Sequence, residues 1–421
     1  MTPDSDQYAP PNWHPDRASG VAQLERFLPR AGAYYKRHRN TDPGPQARDG
    51  VSQLSPWLRH RLLTEPEVLG ATLEHHAFGT AEKFLQEVCW RSYWKGFLER
   101  RPSLWSRYRE SVRNAFDTLG ADDVRHARYQ AATAGQTEIA CFDAWVDELV
   151  TTGYLHNHAR MWFASIWVFT LGLPWSLGAD FFLRHLLDGD PAANTLSWRW
   201  VAGLQTPGKT YLARAGNIQR HTDGRFAPAA DELAATAPPV GDPDLPPVQE
   251  LPAADPVPNE AAILLTEDDL TGLDALDPLP AGSGLAVLEA AGTRSPYPTG
   301  DQARAFTRQA CQNALADAEQ RTGRHGTLLS SEQPADALIK WIRDSCMTTI
   351  VMPWTPRGPA ADFLDTAAPV LANEGIALYR VRRDWDSQVW PHATRGFFAF
   401  WKPVSRQLRA GELPLDRPWA D

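Results

Sequence analysis

Residues 227–258, APAADELAATAPPVGDPDLPPVQELPAADPVP, break the chain in two. Proline locks φ and removes a backbone donor, so a stretch this rich in proline and alanine cannot build a core and reads as an extended, semi-rigid linker. The text on either side follows different rules. Before the linker, apolar residues recur at helical spacing. Val21, Leu24, Phe27 and Leu28 share one face, and residues 81–99 carry Phe84, Val88, Trp90, Tyr93 and Phe97. Further helices are predicted over 143–154, 158–171, 177–187 and 196–204. After the linker, short apolar runs at 261–266, 284–289, 326–330, 348–353 and 376–380 alternate with helical stretches at 301–322, 334–345 and 362–374. That alternation is the grammar of βαβ units and a doubly wound parallel sheet. The expected fold class is α and α/β. A loose arm at 1–20 leads to an all-helical domain at 21–227; the linker at 228–258, a doubly wound α/β domain at 259–408 and a tail at 409–421 follow.

Charge is distributed as unevenly as structure. Residues 1–227 hold 26 Lys+Arg against 24 Asp+Glu, a balance of +2, whereas residues 228–421 hold 16 against 27, a balance of −11. A polyanion would meet the first half. The four cysteines, Cys89, Cys141, Cys311 and Cys346, show no metal-ligand spacing and read as reduced thiols of a cytoplasmic protein. His156 and His158 stand two apart, off a common helix face, so no metal site is expected. The opening MTPDSDQYAPPNW lacks a secretory pattern, and the most apolar run, Met161–Leu173, is too short to span a bilayer. No membrane partner is expected.

The stretch from His156 to Trp200 carries the chemistry. Arg160, Asp188, Asp190 and Asn194 sit among apolar residues together with Trp167, Trp175, Trp198 and Trp200. Buried charges are rare unless paired or bound to something. An apolar chamber with a few placed polar groups is how cofactor sites are built. Upstream, Ser52 and Ser55 flank the start of a short helix, where free N–H groups and the helix dipole favour phosphate. Glu87 and Trp90 lie three apart and share a helix face.

Five blocks, YYKRHRN at 34–40, DGVSQLSPWL at 49–58, QEVCWRSYW at 86–94, GYLHNHARM at 153–161 and DGDPAANTLSWRW at 188–200, together resemble the flavin-binding domain of the DNA photolyase/cryptochrome family. The resemblance implies FAD held by Tyr35, the Ser52–Gln53–Leu54–Ser55 segment, Arg91, Asn157, Arg160, Asp188, Asp190 and Asn194, with Arg160 and Asp188 as an ion pair and Asn194 facing the flavin N5. It implies electron transfer through Trp198 and Trp175, the inner and middle members of a tryptophan series. The outermost member is unmatched, and Tyr129 is the lone aromatic in the corresponding stretch near 120–132. It implies a cavity lined by the catalytic set Glu87, Trp90, Asn157, Met161 and Trp200, which receives a pyrimidine dimer flipped from damaged DNA. The activity implied is light-driven splitting of that dimer. The alternative is a cryptochrome-like blue-light photoreceptor with a protein partner and no repair. Three positions depart from the pattern: Val51 stands for the usual Thr, Tyr154 for Trp and His158 for Arg. ATRGFFAFWKPV at 393–404 is similar to the end of the family's antenna domain, which precedes the flavin domain in that family, so the order looks circularly permuted. TEDDL at 266–270 stands where the family has an arginine-rich motif, leaving open an antenna chromophore of unknown type.

Overall fold

The computed structural model describes residues 13–206, 208–241 and 245–416. Twelve α-helices fill its first half: α1 Arg17–Phe27, α2 Ala33–His38, α3 Ser55–Arg59, α4 Glu65–His75, α5 Phe78–Glu99, α6 Ser103–Leu119, α7 Asp123–Ala134, α8 Ala140–Thr152, α9 Asn157–Ser165, α10 Trp175–His185, α11 Pro191–Val201 and α12 Ala215–His221. The second half runs β1 Ala262–Thr266, β2 Leu285–Glu289, α13 Asp301–Thr322, β3 Gly326–Ser330, α14 Ala335–Asp344, β4 Thr349–Pro353, α15 Pro359–Asn373, β5 Ala377–Val381, α16 Asp384–Val389 and α17 Phe397–Ala410. The fold is thus α and α/β.

Local chemistry accounts for several boundaries that differ from expectation. The chain becomes helical at Arg17, not Val21, because the Asp16 carboxylate accepts the Ser19 N–H and caps α1. Of the arm expected at 1–20, residues 1–12 lie outside the described residues, while Trp13 is anchored by its indole N–H to the Gln53 carbonyl. The helix expected from residue 196 begins at Pro191: Asp190 caps it by accepting the Ala193 N–H at 2.8 Å, and proline suits the first turn, where no N–H is needed. The helix expected over 158–171 is α only to Ser165 and then widens into a π turn at Ile166–Thr170. The tail expected from 409 begins later, since α17 continues through Ala410; residues 417–421 lie outside the described residues.

All five strands are parallel, in the order β3-β2-β1-β4-β5. β1 and β2 are buried along their whole length, so they read as unbroken apolar runs. Their two faces serve different partners. Leu264, Ala286, Leu288 and Met352 pack with Leu338 and Ile342 of α14 and Leu364 of α15. Ile263, Leu265, Leu285 and Val287 join the core of the helical half, together with Ala310 and Cys311 of α13. One hydrophobic core therefore runs from the helices into the sheet. The described part of the linker is tied down: Gln249 N–H reaches the Arg100 carbonyl, and Asp255 exchanges two hydrogen bonds with Arg380.

The acidic loop after β1 docks the two halves. Glu267, Asp268 and Asp269 are buried at the carboxyl end of the sheet, between strands whose crossovers diverge. Arg59 donates to Asp268 at 2.5 Å and to Glu267 at 3.2 Å, Arg61 to Asp269 at 3.2 Å, and Arg383 grips Asp269 through both oxygens at 2.7 Å. Arg59 Nε also donates to the Gly189 carbonyl at 2.9 Å, so the same residue holds the Asp188–Asp190 turn.

Candidate cofactor and substrate site

Three buried helices each expose one stripe. Between Phe84 and Glu99 of α5, the residues not buried are Glu87, Trp90 and Arg91. In α9 they are Asn157, His158, Arg160 and Met161; in α11 they are Ala193, Ser197 and Trp200. Spacings of three and four put each set on one helix face. α11 packs against both α5 and α9. Half-exposed stripes on mutually packed helices form one candidate surface.

Asp188 joins two of the stripes. Its Oδ2 accepts from Arg160 Nη2 at 2.9 Å and lies 3.9 Å from Arg91 Nη2. Burial pushes this carboxyl up, but Arg160 and Arg91 outweigh it, the Ser55 side chain beside it acts in the same sense, and the net shift is down. Oδ1 is buried without a hydrogen-bond partner. An orphaned acceptor costs free energy unless something supplies a donor. Both guanidiniums stay partly exposed, at 18% and 22%. Asp190 is also buried, and one of its oxygens caps α11. Burial raises it, while Lys95 and Arg59 bring it below the usual carboxylate range. Asn194, the next turn of α11, donates its amide Nδ2 to the Ala179 carbonyl at 2.7 Å, which fixes the side chain and leaves Oδ1 as its free end.

The segment before α3 is stiff. Gln53 takes φ 54, in the left-handed region, held by its Nε2 on the Arg48 carbonyl and by Trp13 on its own carbonyl. Gln23 donates to the Ser52 carbonyl at 2.7 Å. Leu54 is buried and Ser52 and Ser55 are half-buried; Ser55 is the first residue of α3, and no side chain caps that helix. Tyr35 is buried between Phe27 and Phe84, with the Arg39 guanidinium 5.7 Å above its ring.

Glu87 is ion-paired with Arg39. Trp90 has one face covered: it stacks on Phe397 of α17 with centroids 3.8 Å apart and planes 8° apart. One face, not two, is left for a ligand. Trp200 lies 5.9 Å from Tyr211, whose hydroxyl is 3.3 Å from His158 Nε2, and this links the α9 and α11 stripes. His158 Nδ1 is bonded to the Asn40 carbonyl. His156 is wholly buried, caps α9 by accepting the His158 N–H, and is pushed down to about 3 by burial, so it is neutral.

Residues 84–224 match the family described as the FAD binding domain of DNA photolyase. A deoxyribodipyrimidine photo-lyase from Synechococcus sp. is 32% identical over 195 residues, covering 45% of this chain and 39% of that protein. Its counterpart from Streptomyces griseus is 36% identical over 161 residues, covering 38% and 34%. A solved bacterial class III photolyase from Agrobacterium tumefaciens aligns at 27% identity with a TM-score of 0.42, over 53% of this chain and 46% of that one. The helical half is thus similar to the FAD-binding domain of DNA photolyases. It spans about two fifths of the length of the curated relatives it matches. The family's cofactor domain binds FAD.

Within this photolyase-type domain, Trp198 is buried on α11 one turn after Asn194 and contacts the rings of Phe163, Trp167 and Phe182. Trp175 is half-buried and contacts Tyr108 at 5.9 Å. Three contributors were not readable as such from sequence: Trp13, Arg59 and Phe397. Each acts on a partner distant in the chain. The one advance signal was the pairing of the basic RHR at 59–61 with the acidic EDD at 267–269. Among the described residues no helix is long and apolar enough to cross a membrane.

Proposed function

We propose that this chain is a light-driven, FAD-dependent photolyase acting on cyclobutane pyrimidine dimers in DNA. The observation that carries the reading is the three open stripes, whose members include Glu87, Trp90, Arg91, Asn157, Arg160, Met161 and Trp200. The residues fit FAD. The unpartnered Asp188 Oδ1 waits for a donor, Arg91 and Arg160 keep their positive charge partly exposed, and the pinned Ser52–Ser55 segment and Tyr35 offer hydroxyls for the pyrophosphate. Asn194 would meet the flavin N5 with its free oxygen, an acceptor suited to the protonated form. Asp190 would bond the ring edge or ribityl chain with the oxygen not used in capping.

When bound, reduced and excited by light, FAD supplies the electron that splits the dimer, and recovers it afterwards. The chain's own part is to receive and hold the lesion. A dimer is already poorly stacked, so extruding it costs less than extruding an intact pair. The free face of Trp90 and the half-exposed Trp200 pack against its apolar surface, with Met161 filling between. Asn157 and Glu87 hydrogen-bond the base edges, and Arg39 orients the Glu87 carboxylate. Fixed polar groups of this kind act on charge that develops during reaction. We read the order of the two halves as a circular permutation of the family's, and the surroundings as cytoplasmic.

The test is dimer repair under blue light with purified protein reconstituted with FAD. The expectation is repair in the wild type and its loss in Glu87→Ala with FAD still bound. A wild type no better than that variant removes the reading. The second reading, a photoreceptor signalling to a protein partner, is favoured by the Phe397 cover on Trp90 and by His158, which is bonded to Asn40 and Tyr211 instead of free for a phosphate. It predicts light-dependent association without preference for dimer-containing DNA. The occupant of any antenna site is left unassigned.

A further inference from the structure

We propose that α17, an element of the α/β half, is a docking face for duplex DNA flanking the lesion. Lys402, Arg406 and Arg409 meet phosphates of one strand, and Phe398 packs against the base pair uncovered when the dimer leaves the stack. The proposal rests on a dimer entering beside Trp90. The second half is acidic, yet from Ser387 to Gly411 it carries four Lys+Arg and no Asp or Glu. Arg395 stands just before α17; Phe398, Lys402, Arg406 and Arg409 follow at spacings of four, four and three, which is one helix face. Net charge directs a polyanion to the first half, and α17 is the local exception.

Nothing in the chain answers these cations. Among the described residues of the second half, the other exposed Arg and Lys side chains are each paired with a carboxylate, as Arg304 is with Glu332, Arg321 with Asp274 and Arg343 with Glu374. Arg395, Lys402 and Arg406 are exposed and enter no ion pair among the described residues, and Arg409 lies over the Phe78 ring at 4.1 Å. Glu82 of α5 accepts the Trp401 indole N–H at 3.4 Å instead. Lys402 and Arg406, one turn apart, repel each other. A face of unanswered like charge is a cost to the fold and an attraction for an anionic partner.

The course of α17 selects the partner. Phe397 stacks on Trp90 and Trp401 on Phe78, with centroids 3.8 and 6.1 Å apart, so α17 runs back along α5, away from Trp90. Phe398, 71% exposed, stands at the Trp90 end with its ring 5.7 Å from Phe397. From Phe398 to Arg409 the face extends about 16 Å at the helical rise. That length faces about five phosphates of one strand of B-DNA. A ring at the lesion end and cations leading away from it match a duplex with a gap in its stack. The ring takes the uncovered base and the cations take the backbone.

The test measures binding of the full chain to two duplexes of one sequence, intact and carrying a single thymine dimer, by fluorescence anisotropy over a range of salt. Lys402→Gln with Arg406→Gln should weaken binding to both duplexes alike and lower the slope of log affinity against log salt by about 1.8, the share of two phosphates. Phe398→Ala should weaken binding to the dimer duplex about tenfold and leave the intact duplex unchanged. Lys340→Gln, which removes a paired cation of α14, should match the wild type. These side chains are exposed, and an unchanged Tm separates lost docking from lost folding. An unchanged salt slope in the double variant overturns the docking face, and so does a loss confined to vesicles of anionic lipid. A Phe398→Ala variant that binds both duplexes like the wild type overturns the role of the ring. Dimer preference in the wild type with no effect of any α17 variant overturns the proposal and leaves the dimer site standing. A wild type indifferent to the dimer overturns the dimer site and the role of Phe398 together.

Discussion

Replacing Arg61 by methionine tests the idea that charge pairing, and not apolar contact alone, holds the two halves together. Arg61 is 1% exposed and faces three carboxylates: Asp386 at 2.8 Å, Asp269 at 3.2 Å and Glu65 at 3.6 Å. The three would fare differently without it. Asp269 keeps the two-pronged grip of Arg383, and Glu65 keeps Lys95 at 3.8 Å. Asp386 is left with no cation in contact, and its Oδ2 already lacks a partner. Burial holds its carboxyl above the usual range even with Arg61 present. In Arg61→Met it should rise further and be neutral at pH 7. Removing one member of a buried pair costs about 3–5 kcal/mol. The assay is urea unfolding followed by fluorescence at several pH values. A raised folded-state carboxyl contributes stability that is present below the unfolded pKa and lost as pH rises. The deficit should therefore be largest at neutral pH and shrink toward pH 4 by about 1.4 kcal/mol per unit for one proton. Adding Asp386→Leu to Arg61→Met should restore most of the loss, because the stranded acid is gone. A single variant within about 1 kcal/mol of wild type at pH 7, where surface pairs fall, would refute the reasoning. So would a double variant as unstable as the single one.

Asp188→Asn should weaken FAD binding about tenfold or more, roughly 1.4 kcal/mol, since Arg91 and Arg160 lose the anion that orients them; a flavin fluorescence titration measures it, and unchanged affinity would count against this surface as the cofactor site. Gly178→Ala should lower stability by about 1–3 kcal/mol through overpacking, read as a fall in Tm, because its methyl group would meet the Trp198 ring at 2.3 Å. His60 and His156 are both wholly buried and pushed down to about 3 by burial, so both fold in the neutral form. A depressed folded-state pKa gives stability present above the unfolded value of about 6.5 and lost as pH falls toward 3. Stability should drop by about 1.4 kcal/mol per pH unit for each histidine over that window, and His156→Asn, which can still cap α9, should flatten the slope by one histidine's share.

The inner strands were legible to within a residue because parallel strands buried on both faces are plain apolar runs, as in Ala262–Thr266 and Leu285–Glu289. The helices were legible as stripes; on α5 Glu87 and Trp90 stand three apart on one face, whereas Asn157, Met161 and Trp200 entered as site residues only through the resemblance. What escaped was set by partners far along the chain. Nothing local to Trp90 tells that Phe397 will cover it, because the contact spans two elements from opposite halves. α11 starts at Pro191, earlier than the residue 196 expected, because Asp190 acts as its N-cap, ending the preceding turn and opening the helix. The acidic loop after β1 is the most instructive failure. Read alone, TEDDL stood only for a missing arginine motif. In the fold it is the other half of an ion-pair set that joins Arg59 and Arg61, some 208 residues earlier, and Arg383, further on. Buried pairs of this sort add little net stability over apolar packing, yet an acid stranded there is costly. They therefore favour one docking geometry over others. Through the Arg59 bond to Gly189, that geometry is passed on to the turn carrying Asp188 and Asp190. The loop at the sheet's carboxyl edge, where α/β folds commonly hold a ligand, is here spent on positioning the candidate surface of the helical half.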